Sequence, residues 1–245
     1  MRTRIAILLF ALVGSAALPA AAQKPDEPAS AAGRTYTPGD FDTIDISGAA
    51  IVRFTQGTSD RVFVQGDDDA QRAVELEVRG RRLQIRPGGS WKFWNSGRLR
   101  IDVTARDLTR VGIYGAADFR ADGPLQVDRL TVNIAGAGNA RFDHLRAGQL
   151  SFEVSGAGNG DVTGIAKSLD VRIAGHSEFR GENLMTERAK VAISGIGDVK
   201  VWATDNLDVA VAGVGKVDYW GTPSLKRSVS GQATINDRGA KRPVQ

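Results

Sequence analysis

Seven glycines divide most of this chain into near-equal lengths. Gly115, Gly136, Gly156, Gly175, Gly195, Gly213 and Gly231 each close an apolar segment, at intervals of 21, 20, 19, 20, 18 and 18 residues. A fixed period of this size is the mark of a stacked-coil architecture. FDTIDISGAA places Gly48 in the same role.

The columns before each glycine define the coil. Two residues before stand Ile46, Ile113, Ile134, Val154, Ile173, Ile193, Val211 and Val229, all β-branched and apolar. Four before stand Ile44, Val111, Val132, Phe152, Val171, Val191 and Val209, and Arg227 breaks that column in the last coil. Six before stand Leu130, Leu150, Leu169, Ala189, Leu207 and Leu225. A spacing of two puts these side chains on one face of a strand. After the glycine a second strand is expected, with Phe119, Phe142, Val162, Phe179, Val199, Val201, Val217 and Tyr219 facing in.

One such coil cannot bury its apolar face alone, but stacked coils can, each strand pairing in parallel with its equivalents about 4.8 Å away. The pattern therefore predicts an all-β, single-domain parallel β-helix (β-solenoid) with coils of about 18–21 residues. Glycine is expected at each corner because it accepts positive φ and lets successive backbones approach closely. The outward column Asp170, Lys190, Asp208, Lys226 alternates in sign, and Glu153 is followed one coil later by Arg172, as vertical neighbours should.

The ends set the boundaries. Residues 1–22 read as a signal peptide: Arg2 and Arg4 form a basic start, Ile5 to Leu18 is apolar, and Ala20-Ala21-Ala22 offers a cleavage site. Residues 23–39 read as a flexible linker. Residues 40–238 form the solenoid domain, less regular over 40–105 and regular over 106–238, and 239–245 are expected to fray as a disordered tail. The less regular part is expected to pair at one end of the stack and cap it. The chain has no cysteine, which excludes disulfides, thiolate metal sites and thiol nucleophiles. Without Arg2 and Arg4 the basic residues fall from 32 to 30 against 28 acids, a net charge of +2 with both signs interleaved. This balance does not point to nucleic acid.

The order FDTIDISGAAIVRFTQG, RVFVQGDDD, LQIRPGG, LRIDVTARDLTRVGIYGAADF, the AGAGNA, SGAGNG and SGIGDV corners, and VDYWGTPSLKRSVSGQATI resembles the putative auto-transporter adhesin, head GIN domain family. The resemblance runs from about Phe41 to Asn236. It implies a β-helical domain of the cell envelope or exterior and carries no catalytic residues to transfer.

Candidate sites follow from what the repeat does not explain. Gly136-x-Gly138 and Gly156-x-Gly158 lack the third glycine and the helix of a dinucleotide loop. Asn139, Asn159, Glu178, Asp198 and Lys216 occupy the aspartate position of a calcium roll, but at twice its period. Asn and Asp here are expected to close the turn through Asx hydrogen bonds. No metal and no cofactor is expected. His144 and His176 fall at different points of their coils, so no triad is placed. Asp143, Asp161 and Arg180 are the residues a shallow carboxylate site would use. The row Arg120, Arg141, Asp161, Arg180, Lys200, Asp218 is a candidate surface for an anionic glycan or lipid head group, but Asp122, Asp143 and Glu182 beside it largely neutralise the stripe, and a mixed solvated face is the favoured reading. Trp91, Phe93 and Trp94 in GGSWKFWNSG either cap the open core or contact a partner. Trp202 and Trp220 are expected on an outward face as a small stacked patch.

The expected function is that of a non-enzymatic exported module, periplasmic or extracellular, binding an envelope or surface polymer, whether glycan or protein. No membrane span is expected after signal cleavage. A carbohydrate-active β-helix enzyme is the alternative.

Overall fold

The computed structural model describes residues 33–66, 71–88 and 99–241. The described residues form a mainly parallel β-solenoid whose strands belong to one hydrogen-bonded system. Strands β9 (Asp118–Ile134), β10 (Asn139–Val154), β11 (Asn159–Ile173), β12 (His176–Ile193) and β13 (Ile196–Val211) each run from one glycine corner to the next. Between β9 and β10 the pairing breaks near Asp143 and again at Gly148, so the coil has three straight sides. These are the second strand just after the corner, a short third side (Leu145 to Ala147), and the first strand leading to the next corner.

The apolar columns lie one above another in strict register. Ile134 pairs with Val154, Val154 with Ile173, and Ile173 with Ile193, all in parallel. Every member of the first-strand columns from Ile44 to Val211 is at most 3% exposed. The core also stacks phenylalanines: the Phe119 and Phe142 ring centroids of the second strand are 5.5 Å apart, and Phe152 of the first strand lies 5.0 Å from Phe179 of the second. Such pairs add to the burial that a lone coil could not achieve.

The corner glycines meet one part of the sequence expectation, the close approach of successive backbones, and not the other, positive φ. Gly115, Gly136, Gly156, Gly175, Gly195, Gly213 and Gly231 do not have positive φ; in this series only Gly48 does, at 87°. A Cβ on Gly136 would point along the stack into the carbonyl of Gly115, and one on Gly156 into that of Gly136. Close stacking of backbone, not a left-handed turn, excludes every side chain here. The following row, Gly138, Gly158, Gly197 and Gly215, is small for a second reason: a Cβ there would meet the isoleucine or valine column.

The N-terminal part caps the stack, as expected, but its coils are out of sequence order. β2 (Thr43–Ile46) and β3 (Ala50–Gln56) form the chain's first coil; β6 (Arg82–Pro87) and β7 (Leu99–Ala105) form the next in sequence. Yet β2 lies between β6 and β8 (Arg110–Ile113), with Ile44 paired to both Leu83 and Val111. The β6–β7 coil is therefore outermost. Three strands then turn antiparallel against it: β5 (Val74–Arg79) on β6, β4 (Arg61–Gln65) on β7, and β1 (Gly33–Tyr36) on β4. Trp91, Phe93 and Trp94 lie outside the described residues.

At the other end β14 (Val214–Trp220), β15 (Ser224–Val229) and β16 (Gln232–Asp237) complete the last coils. Leu225 and Val229 continue the core columns but are 37% and 45% exposed, because no described strand lies beyond them. Arg227 stands in the column filled by Val209 one coil earlier. An inward-pointing charge on a terminal rung discourages another chain from adding to the edge. The tail does not fray from residue 239. Arg238 N–H donates to the Tyr219 carbonyl at 2.9 Å and Gly221 N–H to that of Gly239 at 3.0 Å, so residues 238–241 return along the coils.

Two outcomes are expected. Gly136→Ala should destabilise by about 1–3 kcal/mol, the usual range for forcing atoms into a packed site. Gly123→Ala, with nothing within 4 Å of its added Cβ, should stay within about 0.5 kcal/mol of the parent. Denaturant melts measure both. Arg227→Val should promote association with rising concentration, read by sedimentation velocity against a parent that does not change.

Candidate functional site

The second-strand face carries the row of basic residues and places it in direct register. Arg120 pairs with Arg141, Arg141 with Asp161, Asp161 with Arg180 and Arg180 with Lys200. One residue was not foreseen: Arg53 on β3 sits beside Arg120. Three arginines thus occupy consecutive rungs about 4.8 Å apart. The sequence contained Arg53, but only the pairing of β3 with β9 brings it into the column.

These cations differ in their partners. Arg141 bonds Asp143 at 2.7 Å and lies 4.0 Å from Asp161. Arg180 lies 3.6 Å from Asp161 and 3.5 Å from Glu178, and Lys200 bonds Glu178 at 2.9 Å. Among the described residues Arg53 and Arg120 have no ion pair. A hollow of about 290 Å³ opens over Asp118, Arg120, Asn139, Arg141, Asp161 and Arg180. Its carboxylates Asp118 and Asp161 both have partners, since Asn139 Nδ2 donates to Asp118 Oδ1 at 2.8 Å.

That contact begins a ladder. Asn159 Nδ2 donates to Asn139 Oδ1 at 3.1 Å, and Glu178 N–H donates to Asn159 Oδ1 at 3.0 Å. The side chains expected to close their own turns bond between coils instead, because stacking brings the same position within amide reach. Among the described residues no group of three or more His, Cys, Asp or Glu side chains is placed to hold a metal ion.

Trp202 and Trp220 lie on the third side, away from the arginine row. Ile165, Met185, Trp202 and Trp220 form one column. Trp202, expected on an outward face, is only 4% exposed. The returning tail covers it: Lys241 Nζ lies 5.5 Å from the Trp202 ring centroid and 5.4 Å from that of Trp220.

The first-strand face holds one buried carboxyl that the pattern did not single out. Asp45 is 8% exposed, with Arg82 at 3.2 Å and the Tyr114 side chain lying over neighbouring Gly112. Burial pushes its carboxyl above the ordinary value, despite Arg82 and Arg110 nearby. Three other acids are held low, Asp60 chiefly by its hydrogen bond from Arg106. The hydrogen bond from Lys200 keeps Glu178 below the usual range. For Asp218 burial acts upward, but hydrogen bonds from Asn236, Arg238 and Lys216 outweigh it.

Asp218 and Glu178 stabilise the fold above the ordinary carboxylate range and lose that contribution as pH falls through their lowered values. Asp45 has the opposite sign, contributing at low pH and losing it as pH rises through its raised value. Asp45→Asn is expected to melt above the parent at pH 7, with the advantage vanishing on acidification. Asp218→Asn should melt below the parent at pH 7 and converge with it in acid. Thermal melts across pH 3–8 separate the two.

Comparison with known proteins places these features in context. The model of the family described as putative auto-transporter adhesin, head GIN domain, matches residues 40–223. No curated protein matches the chain. Among solved structures, a putative adhesin from Bacteroides fragilis is 25% identical with a TM-score of 0.79, covering 83% of this chain and 95% of its own. A protein from Parabacteroides distasonis described as a putative lipid binding protein is 22% identical, with a TM-score of 0.67 and coverage of 86% and 96%. A putative adhesin from Parabacteroides merdae is 19% identical, with a TM-score of 0.65 and the same coverage of 86% and 96%. The last two likenesses bear on the fold alone.

Proposed function

From the premise that the chain belongs to the putative auto-transporter adhesin, head GIN domain family, we propose that it is a non-enzymatic, exported module that binds an extended anionic polymer of the cell envelope or surface. The observation that carries this reading is the run Arg53, Arg120, Arg141 on successive rungs. Like charges placed directly opposite one another oppose folding. A ligand bearing regularly spaced carboxylates or phosphates offsets that repulsion and gains three guanidinium contacts suited to such groups. Recurrence of the charge on successive rungs favours an extended occupant over a compact one. Asp143 holds Arg141 on one side, so Arg53 and Arg120 are the primary contacts and Arg141 the third.

The expected result is binding to polygalacturonate and none to neutral dextran, with affinity falling as salt rises. Arg53→Ala and Arg120→Ala should each weaken binding about 5- to 30-fold, on the scale of about 1–2 kcal/mol per charged contact, while leaving thermal stability at or above the parent's. Titration calorimetry at two salt concentrations measures this. Equal binding by the double variant would remove the arginine row from the function.

A second reading takes the hollow as a carbohydrate-active site, favoured by Asp118 and Asp161 lying together with Arg120, Arg141 and Arg180 in its lining. New reducing ends released from the bound polymer, and lost in Asp161→Asn, would replace the binding reading with that one.

A further inference from the structure

The geometry points to a second site, on the third side and independent of the arginine row: we propose that Trp202, Trp220, the Glu182 carbonyl and Asn183 form a receptor for an alkylammonium group, which Lys241 occupies from within the chain.

Four groups converge on one nitrogen. Lys241 Nζ donates to the Glu182 backbone carbonyl at 2.6 Å and to Asn183 Oδ1 at 2.8 Å. The same nitrogen stands 5.5 and 5.4 Å from the two indole centroids. An ammonium has three donors and no acceptor. Here two donors go to neutral oxygens, and the charge faces two tryptophans, the strongest aromatic partners for a cation. The rings are adjacent because Trp202 and Trp220 pair in register on consecutive rungs. The oxygens come from β12, where the following coil is locally shorter: pairing with β13 jumps from Gly181 directly to Met185. Glu182 and Asn183 lie in that jump. The cage is therefore built by three successive coils, with its oxygens on β12 and its rings on β13 and β14.

Two further features suit an exchangeable occupant. Lys241 forms no ion pair among the described residues, so its charge is answered by dipoles and ring faces alone. Glu182, whose carbonyl the ammonium uses, keeps its Oε2 buried without a hydrogen-bond partner. Beyond Gly239, at φ 81°, the described residues are held by the contacts of the Lys241 side chain. An incoming amine thus competes with one side chain on a short arm.

The test uses the full chain carrying Lys241→Ala, titrated with n-propylammonium and followed by tryptophan fluorescence. The variant should bind saturably and at least about 10-fold more tightly than the parent. Tetramethylammonium, which has no N–H for Glu182 or Asn183, should bind it more weakly than n-propylammonium. Adding Trp220→Ala should abolish the gain. A chain ending at Ala240 should behave as Lys241→Ala does, which guards against a substitution that loosens the last coil. Phosphatidylcholine vesicles with and without phosphatidylethanolamine assign the source. Retention only on the mixed vesicles indicates a lipid head group, and response to the free amine alone indicates a soluble or peptide amine. If neither variant gains amine binding while circular dichroism shows an intact β fold, the receptor does not exist. A gain that survives Trp220→Ala would equally overturn it.

Discussion

The whole solenoid depends on how closely one backbone corner can sit on the next. Parallel rungs hydrogen-bond only if every coil rises by the same small step, and at the corner that step leaves no room for a Cβ. The carbonyl of Gly115 occupies the space that a side chain on Gly136 would need, and the relation recurs up to Gly231 over Gly213. Given that spacing, the isoleucine and valine columns fall into register and the phenylalanine file can stack. The polar exterior inherits the same order. An asparagine ladder, an arginine run and a tryptophan pair are all consequences of one residue lying above its counterpart.

The regular half was legible because its signal is repetition. From Val111 to Tyr219, the inward columns read from the sequence are the buried columns of the structure, and Arg227 was visible as the point where the pattern fails. The physics of the corner was less legible. Glycine is compatible with positive φ and with close approach alike, and only coordinates distinguish them; here the second cause operates at seven corners. Asn139 and Asn159 were ambiguous in a similar way, since an amide can close its own turn or reach the next rung.

What the sequence concealed was order in space. Ile44-x-Ile46, Leu83-x-Ile85 and Val111-x-Ile113 are equivalent as patterns, so nothing local says that the first lies between the other two. Arg53 joined the basic row only through that arrangement. The cover over Trp202 was hidden for another reason: Lys241 lies 39 residues later in a segment without apolar periodicity. A contact made by one flexible side chain leaves no periodic trace.

The interleaved first coil also bears on how the molecule comes into being. β2 is flanked on both edges by strands that follow it in the chain. A polypeptide growing from its amino end holds that strand unsatisfied until Ile113 has appeared. The rungs beyond can accrete one at a time on a finished neighbour, but the starting layer must close as a single event. Synthesis thus delivers the seed of the structure late, and elongation of the stack can begin only after that delay.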